Sequence, residues 1–195
     1  MTQQNAKTLH DTAVHRDSCG FGLIANLDDI PSHWVVETAI SALARLTHRG
    51  AVAPDGKTGD GCGLLIKFPR DFLRAVGEEE GFEISERFAA GCVFLSQDES
   101  LASTARSVIN ECIAEIGLEV AGWREVPINA SACGKQALAT LPRIEQVYVN
   151  APDELPRGPF NRRLFLARRR AENRLADTET YVASLSSVTI SYKGM

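Results

Sequence analysis

The stretch Asp17-Ser18-Cys19-Gly20-Phe21-Gly22 is the point at which a polar leader gives way to an apolar run. Residues 1–18 are polar and aperiodic, so we predict a flexible leader. They contain no apolar stretch of the length that a secretory signal needs. The run over 19–27 is apolar and contains glycine, which predicts a strand. Removal of the leader would make Cys19 the N-terminus of the folded part of the chain.

An N-terminal cysteine would carry a nucleophile and a base on one residue. A free α-amine has a reference pKa of about 7.7–8.0, so the amine of a freed Cys19 could accept a proton near neutral pH. The N-terminal threonine hydrolases use the same arrangement. Gly20 and Gly22 would let a substrate backbone approach the sulfur. The more common role of an arbitrary cysteine, by contrast, is that of a small buried hydrophobe.

The composition is that of an ordinary globular protein. The 195 residues, 44% of them hydrophobic and 24% charged, predict one domain with its own core. The formal net charge of −4 argues against a dedicated nucleic-acid binder, and no apolar run approaches the roughly 18 residues that span a membrane. We predict a cytoplasmic protein with neither nucleic acid nor membrane as a partner.

The five cysteines, an odd number, do not form a recognisable metal or redox motif. No C-x-x-C pair occurs, so zinc ribbons, thioredoxin-like pairs and iron–sulfur clusters lack their usual signature, and we predict no metal site. Cys92 and Cys112 lie in apolar patterns and are predicted to be buried. The sequence leaves the role of Cys133 undecided.

Hydrophobic periodicity predicts a mixture of helices and strands. Ser32 is a predicted N-cap of the first helix. The predicted helices cover 33–47, 69–76, 100–116 and 157–175. The predicted strands cover 19–27, 64–68, 88–95, 118–126, 144–150, 181–185 and 188–192. Because some neighbouring strands have no helix between them, the order favours an α+β protein over a doubly wound sheet.

Two features resemble nucleotide or phosphate sites without meeting their requirements. Gly56-Lys57-Thr58 ends like a P-loop, but the pattern requires glycine at position 51, which is Ala51, and the segment follows a helix instead of opening one. Seven of the sixteen arginines lie in 157–174. Apolar and acidic residues alternate with them, so we favour a packed helix with a charged outer face over a phosphate-binding surface.

Several motifs together resemble the class II glutamine amidotransferase domain of glutamate synthase large subunits. The first is the opening stretch around Cys19. The others are Leu46-Thr-His-Arg-Gly-Ala51, Asp55-Gly-Lys-Thr-Gly-Asp-Gly-Cys-Gly-Leu-Leu65, Arg163-Leu-Phe-Leu-Ala-Arg-Arg-Arg170 and Val188-Thr-Ile-Ser-Tyr-Lys-Gly-Met195. The motifs occur in the family's order and extend over residues 17–195.

The resemblance implies the N-terminal-nucleophile hydrolase fold, a four-layer α/β/β/α sandwich. Residues 1–18 would be a propeptide, and 19–195 would form the N-terminal part of the domain, so the sandwich would be incomplete. Cys19 would be the catalytic residue that attacks the side-chain amide of L-glutamine and releases ammonia. Arg49 and Gly50 would line the substrate site, although Arg49 could instead pair with an aspartate of its loop. A structural loop near the site would contain Thr58, Gly59, Asp60 and Gly61.

The resemblance also implies partners. Ammonia would pass to the synthase domain of the parent polypeptide and react there with 2-oxoglutarate. FMN and a 3Fe–4S cluster would belong to that missing part, with no cofactor on this chain. A small NAD(P)H-dependent subunit would be a further partner.

This chain departs from the family pattern at its end. The family's Ser-Arg-Phe-Ser-type segment, which binds the glutamine carboxylate, and its oxyanion-hole Asn-Gly pair lie beyond the equivalent of Met195. Losing a single oxyanion donor can lower kcat about 10²–10³-fold, so we expect negligible glutaminase activity from this chain alone. Two alternatives stay open: a self-sufficient amidase with another carboxylate anchor, and a non-catalytic remnant or interaction module.

Overall fold

The computed structural model describes residues 20–46, 52–59 and 61–194. It separates into two compact units, residues 1–51 and residues 52–195.

The described part of the first unit contains one helix, α1 (His33–Ala44). Its predicted N-cap is confirmed, because the Ser32 hydroxyl accepts a hydrogen bond from the backbone N–H of Trp34 at 3.2 Å. The prediction of a strand over 19–27 is wrong for its described residues, 20–27, which form no strand. Phe21 is 93% exposed. A strand needs a neighbour to satisfy its backbone, and no described segment pairs with this one.

The second unit contains the remaining elements. Its strands are β1 (Cys62–Lys67), β2 (Phe88–Leu95), β3 (Glu119–Glu125), β4 (Arg143–Asn150), β5 (Tyr181–Ser186) and β6 (Thr189–Gly194). Its α-helices are α2 (Arg70–Glu79), α3 (Glu99–Ala114), α4 (Lys135–Ala139) and α5 (Arg157–Arg174). The six strands confirm their predictions to within two residues at each end. The single turn 130–132 and α4 were not predicted, because such short elements have no measurable periodicity.

The strands of this unit form two antiparallel sheets. One has four strands in the order β3-β4-β2-β5, and the other pairs β1 with β6. The predicted α+β class is therefore confirmed. The complete four-layer sandwich stays a prediction.

The four-stranded sheet carries a core on each face. On one face, α3 and α5 pack against the central strands. The fully buried side chains here include Val93, Leu95, Val147, Val149, Ile113, Phe160 and Leu164. On the other face, α2 and β6 contribute to a second core, which contains Leu73, Phe88, Ala90, Tyr148 and Ile190. Burying a side chain of this size stabilises the fold by about 1.5–3 kcal/mol.

The turn between β5 and β6 is held by one residue of α5. The Asn161 Nδ2 donates to the Ser187 hydroxyl at 2.8 Å, and its Oδ1 accepts from the Ser187 backbone N–H at 3.0 Å. The Ser186 hydroxyl donates to the same Oδ1 at 3.2 Å. The amide therefore fixes the point at which the chain leaves the four-stranded sheet for the two-stranded one.

Arg74, on α2, organises the loop that leads into β2. Its Nη1 donates to the carbonyl of Ile84 at 3.0 Å. Its Nη2 donates to the carbonyls of Ser85 at 2.8 Å and Glu86 at 3.2 Å. The guanidinium also lies over the Phe88 ring, 5.1 Å from the centroid. One planar cation thus satisfies three loop carbonyls at the edge of the second core.

We predict that Arg74→Lys lowers the free energy of unfolding by about 1–3 kcal/mol, because an ammonium cannot reach three carbonyls in this geometry. Urea unfolding followed by circular dichroism measures the change. Arg70→Lys is the matched control: the Arg70 Nη1 donates to a single carbonyl, that of the exposed Glu86, at 2.7 Å, and we expect a loss below about 1 kcal/mol. Equal losses in the two variants would contradict this account.

Candidate functional site

The glycine-rich segment before β1 is a compact turn. The Ala53 N–H donates to the Thr58 carbonyl at 2.8 Å, and an isolated bridge joins Val52 to Gly59. Gly56 has a φ of 71° and donates its N–H to the Ala53 carbonyl at 2.9 Å. The left-handed conformation at this position explains the need for glycine.

The carboxylate of Asp55 holds this turn together. Its Oδ1 accepts the backbone N–H groups of Lys57 at 3.0 Å and Thr58 at 2.8 Å. Its Oδ2 accepts the Thr58 hydroxyl at 2.6 Å. These hydrogen bonds, led by that of the Thr58 hydroxyl, hold the pKa of Asp55 well below its usual range. The turn therefore contains a carboxylate that is ionised at neutral pH.

The same contacts explain why this segment is not a phosphate-binding loop. A P-loop points backbone N–H groups at its ligand. Here the N–H groups of Lys57 and Thr58 are donated to Asp55 instead. The interpretation drawn from Ala51, which itself lies outside the described residues, is thus supported by the contacts of its neighbours.

A distant segment, at the start of α4, supports the turn from outside. The N–H of Gln136 donates to the Asp55 Oδ2, and the N–H of Ala137 donates to the Thr58 hydroxyl, each at 3.4 Å. Gly134 leaves the necessary room: a Cβ there would lie 2.3 Å from the Asp55 Oδ2 and 2.3 Å from the Thr58 Oγ1. The sequence did not reveal this contact, because the partners are about 80 residues apart.

The predicted site residues divide between described and undescribed positions. Cys19, Arg49, Gly50 and Asp60 lie outside the described residues. Thr58, Gly59 and Gly61 are described, and Gly61, with a φ of 86°, turns the chain into β1. The assignment of all seven to one site stays a prediction.

The arginine-rich helix α5 has the packed arrangement that we favoured. Its buried face consists of Phe160, Leu164, Ala167 and Ala171. On its outer side Glu172 pairs with Arg168 at 2.7 Å and with Arg169 at 2.6 Å. Glu115, which follows α3, pairs with Arg174 at 2.7 Å and with Arg170 at 3.6 Å. Two carboxylates thus engage four of the seven arginines of the helix, which fits a packed helix with a charged outer face.

The burial predicted for two of the described cysteines is confirmed. Cys92 and Cys112 are buried, and burial raises the pKa of Cys92 to about 11 against the opposing charge of Lys193. Burial also raises the pKa of Cys112. Thiols with raised pKa values are poor nucleophiles at neutral pH. Cys133, left open by the sequence, is half-buried.

The part of the chain that the structure describes contains neither a metal-ligand cluster nor a membrane-spanning helix. Over 20–46, 52–59 and 61–194, no group of three or more His, Cys, Asp or Glu side chains is arranged to hold a metal ion. Within the same ranges, no helix has the length and hydropathy that crossing a membrane would require.

Comparison with known proteins gives one family and several relatives with similar names. Residues 19–195 match the family model of the glutamine amidotransferases class-II. The chain is 40% identical over 193 residues to ferredoxin-dependent glutamate synthase 1, chloroplastic/mitochondrial, of Arabidopsis thaliana, covering 96% of this chain and 12% of that protein. It is 40% identical to ferredoxin-dependent glutamate synthase 2 of Synechocystis, with 92% and 12% covered. It is 37% identical to the glutamate synthase [NADPH] large chain of Bacillus subtilis, with 97% and 13% covered. The chain thus spans about an eighth of the length of these relatives.

We predict that Gly134→Ala destabilises the second unit by about 1–3 kcal/mol, because the added methyl group would overlap the Asp55–Thr58 pair. The measurement is the urea midpoint of the full chain. Gly158→Ala in α5 is the control, since a Cβ there would meet no atom within 4 Å and alanine is favoured in helices. A Gly134→Ala chain as stable as the Gly158→Ala chain would show that the contact at Gly134 is unimportant.

We also predict that the free energy of unfolding decreases in acid, because surface carboxylates become protonated. Hydrogen bonds from Arg174 hold the pKa of Glu115 below its ordinary value of 4.5, and Arg106 does the same for Glu99. A carboxyl group with a lowered folded-state pKa contributes stability above its unfolded pKa and loses it as the pH falls through the folded value. The free energy of unfolding should therefore decrease as the pH is lowered from about 5 towards 3.

The control for this pH dependence is Arg174→Gln, which removes the main partner of Glu115. Thermal unfolding across the same pH range should show a smaller acid-induced loss than in the unchanged chain. Parallel curves for the two chains would exclude Glu115 as a contributor.

Proposed function

We propose, because the chain belongs to the class-II glutamine amidotransferases, that it is the glutaminase portion of a glutamate synthase and releases ammonia from L-glutamine. The observation that carries this proposal is the extent of the family match, which begins at residue 19. That residue is Cys19, the one that the polar leader and the N-terminal chemistry single out as a nucleophile.

The proposed reaction starts from a chain without residues 1–18, so that Cys19 has a free α-amine. The amine accepts the thiol proton while the sulfur attacks the amide carbon of the glutamine side chain. The amine gives its proton to the leaving nitrogen as the carbon–nitrogen bond breaks. Ammonia departs, and the acyl group stays bound to the sulfur as a thioester. The same amine then accepts a proton from a water molecule that attacks the thioester carbon. The carbon–sulfur bond breaks, which restores the thiol and frees glutamate.

The remaining site residues have supporting roles in this proposal. Arg49 and Gly50 line the substrate site, and the positive charge of Arg49 lowers the pKa of the nearby thiol. The loop of Thr58, Gly59, Asp60 and Gly61 shapes the site without touching the reacting atoms. In support, both hydrogen-bonding functions of the Thr58 hydroxyl are used inside the protein, since it donates to Asp55 and accepts from Ala137.

The partners that the family resemblance implies for the parent protein are part of the proposal. Ammonia passes to a synthase domain and reacts with 2-oxoglutarate, and FMN and a 3Fe–4S cluster belong to that domain. No step on this chain requires either group. The Bacillus subtilis relative is named for NADPH, which supports a small NAD(P)H-dependent subunit. Two other relatives are named for ferredoxin, so ferredoxin is the competing electron donor.

A replacement experiment tests the proposed function. This chain would replace the region of the Bacillus subtilis large chain to which it aligns over 193 positions. We expect glutamate formation with glutamine as the nitrogen source, and loss of residues 1–18 in the intact mass. Cys19→Ala should lower the glutamine-dependent rate at least about 10³-fold and leave the rate with added ammonia unchanged, since external ammonia bypasses the glutaminase step.

The ammonia-dependent rate shows that the replaced protein has folded. If that rate is normal and glutamine is not used, or is used equally well by the Cys19→Ala protein, the proposal is wrong. The 195-residue chain alone should release ammonia from glutamine at the background rate. Cys19-dependent release from that short chain would instead favour a self-sufficient amidase.

A further inference from the structure

The outward side of α5 combines cations with exposed apolar side chains. The helix packs on the four-stranded sheet through Phe160, Leu164, Ala167 and Ala171. Opposite that side, at 3.6 residues per turn, lie Arg162 and Arg169. Phe165 and Leu166 flank them and are 59% and 42% exposed. We call these four residues, 162, 165, 166 and 169, the basic face of α5.

The basic face carries a charge that the described part of the chain does not neutralise. The ion pairs of α5 engage its C-terminal arginines, and none that the described residues form includes Arg162. Arg169 pairs with Glu172 but keeps 56% of its side chain exposed. A single exposed apolar residue is ordinary, whereas two adjoining ones between cations are typical of a contact surface.

The helix α2, on the other side of the same sheet, has an outward side of the opposite sign. Its buried residues are Leu73 and Gly77, and Leu73 belongs to the second core. Helical periodicity therefore turns the following residues outward: Asp71, Phe72, Ala75, Glu78 and Glu79. Phe72 is 57% exposed. We call these five residues the acidic face of α2.

The acidic face has an excess of negative charge. Glu78 approaches Arg74 at 3.9 Å, and 59% of its side chain is exposed. No ion pair between described residues includes Asp71 or Glu79. Three carboxylates thus share one nearby cation, and an exposed phenylalanine lies among them. The two faces have the same composition of apolar and charged groups, with the sign of the charge reversed.

We propose that the acidic face of one copy of this chain binds the basic face of a second copy. Such a contact removes Phe72 and Phe165 from water, which is the main source of its free energy. It also gives Arg162 the carboxylate partners that the described part of its own chain does not provide. Complementary charge fixes which faces meet, because two acidic or two basic faces would repel each other.

The position of the two faces determines the kind of assembly. They lie on opposite sides of the four-stranded sheet, so a single partner cannot occupy both faces of one copy. The contact is therefore heterologous, and assembly continues beyond the dimer as the concentration rises. Two helix faces bury less than the roughly 1,200 Å² of a stable interface, so the contact is weak and reversible.

Sedimentation equilibrium of the full chain tests the proposal. At about 0.1 M salt the weight-average mass should rise with concentration and pass that of a dimer. It should fall towards the monomer at about 1 M salt, because the Debye length shortens from about 10 Å to about 3 Å. A chain that stays monomeric at low salt, stops at the dimer, or associates equally at both salt concentrations would overturn the proposal.

Charge reversal on each face identifies the surfaces that meet. Arg162→Glu and Glu79→Lys should each lower the association constant at least about tenfold, because each brings like charges together. An equimolar mixture of the two variants should associate again, since the unchanged acidic face of the first meets the unchanged basic face of the second.

The matched control is Lys135→Glu, which makes the same change of charge as Arg162→Glu at the exposed first residue of α4. It should leave the association constant unchanged, and circular dichroism should show that all three variants are folded. An equal loss in the control, full association of either face variant by itself, or a mixture that stays monomeric would each show that the two faces do not bind each other.

Discussion

The burial of β2 and β4 on both faces is the constraint on which the second unit depends. Every residue of β2 except Phe94 is buried, and the last six residues of β4 are buried as well. Helices cover one face of the sheet, and the β1–β6 pair with α2 covers the other. Because neither face meets water, each polar side chain on these strands must find a partner inside the protein.

The partners of these strand side chains are an arginine for Glu145 and backbone groups of a loop for Asn150. Arg106 binds the buried carboxylate of Glu145 through two hydrogen bonds, at 2.7 and 2.9 Å. Asn150, at the end of β4, donates to the Glu83 carbonyl at 2.8 Å and accepts the Ser85 N–H at 3.0 Å. A carboxylate has the same role in the turn before β1, where Asp55 collects backbone donors. Side-chain polar groups, more than regular secondary structure, thus fix the loops between the layers.

The sequence predicted what depends on local pattern and missed what depends on distant partners. The apolar run of β2 was located at 88–95 without error, because a doubly buried strand is apolar throughout. The segment over 20–27 has a similar composition but forms no described strand, since composition does not supply a neighbour. Gly134 was not recognised, because its importance comes from Asp55 and Thr58, about 80 residues away in the chain. The role of Cys19 is predicted from its place after the leader and from the family resemblance, and it stays a prediction.

The pairing of β1 with β6 has a consequence for biosynthesis. Lys67 and Thr189 are neighbours in the sheet but lie more than 120 residues apart in the chain. A ribosome therefore releases β1 long before its partner, and the strand stays unpaired while the four-stranded sheet is completed. Pairing over such a separation forms late and slowly. Until it forms, Leu65 and the apolar residues around it belong to an open edge that can join a neighbouring nascent chain.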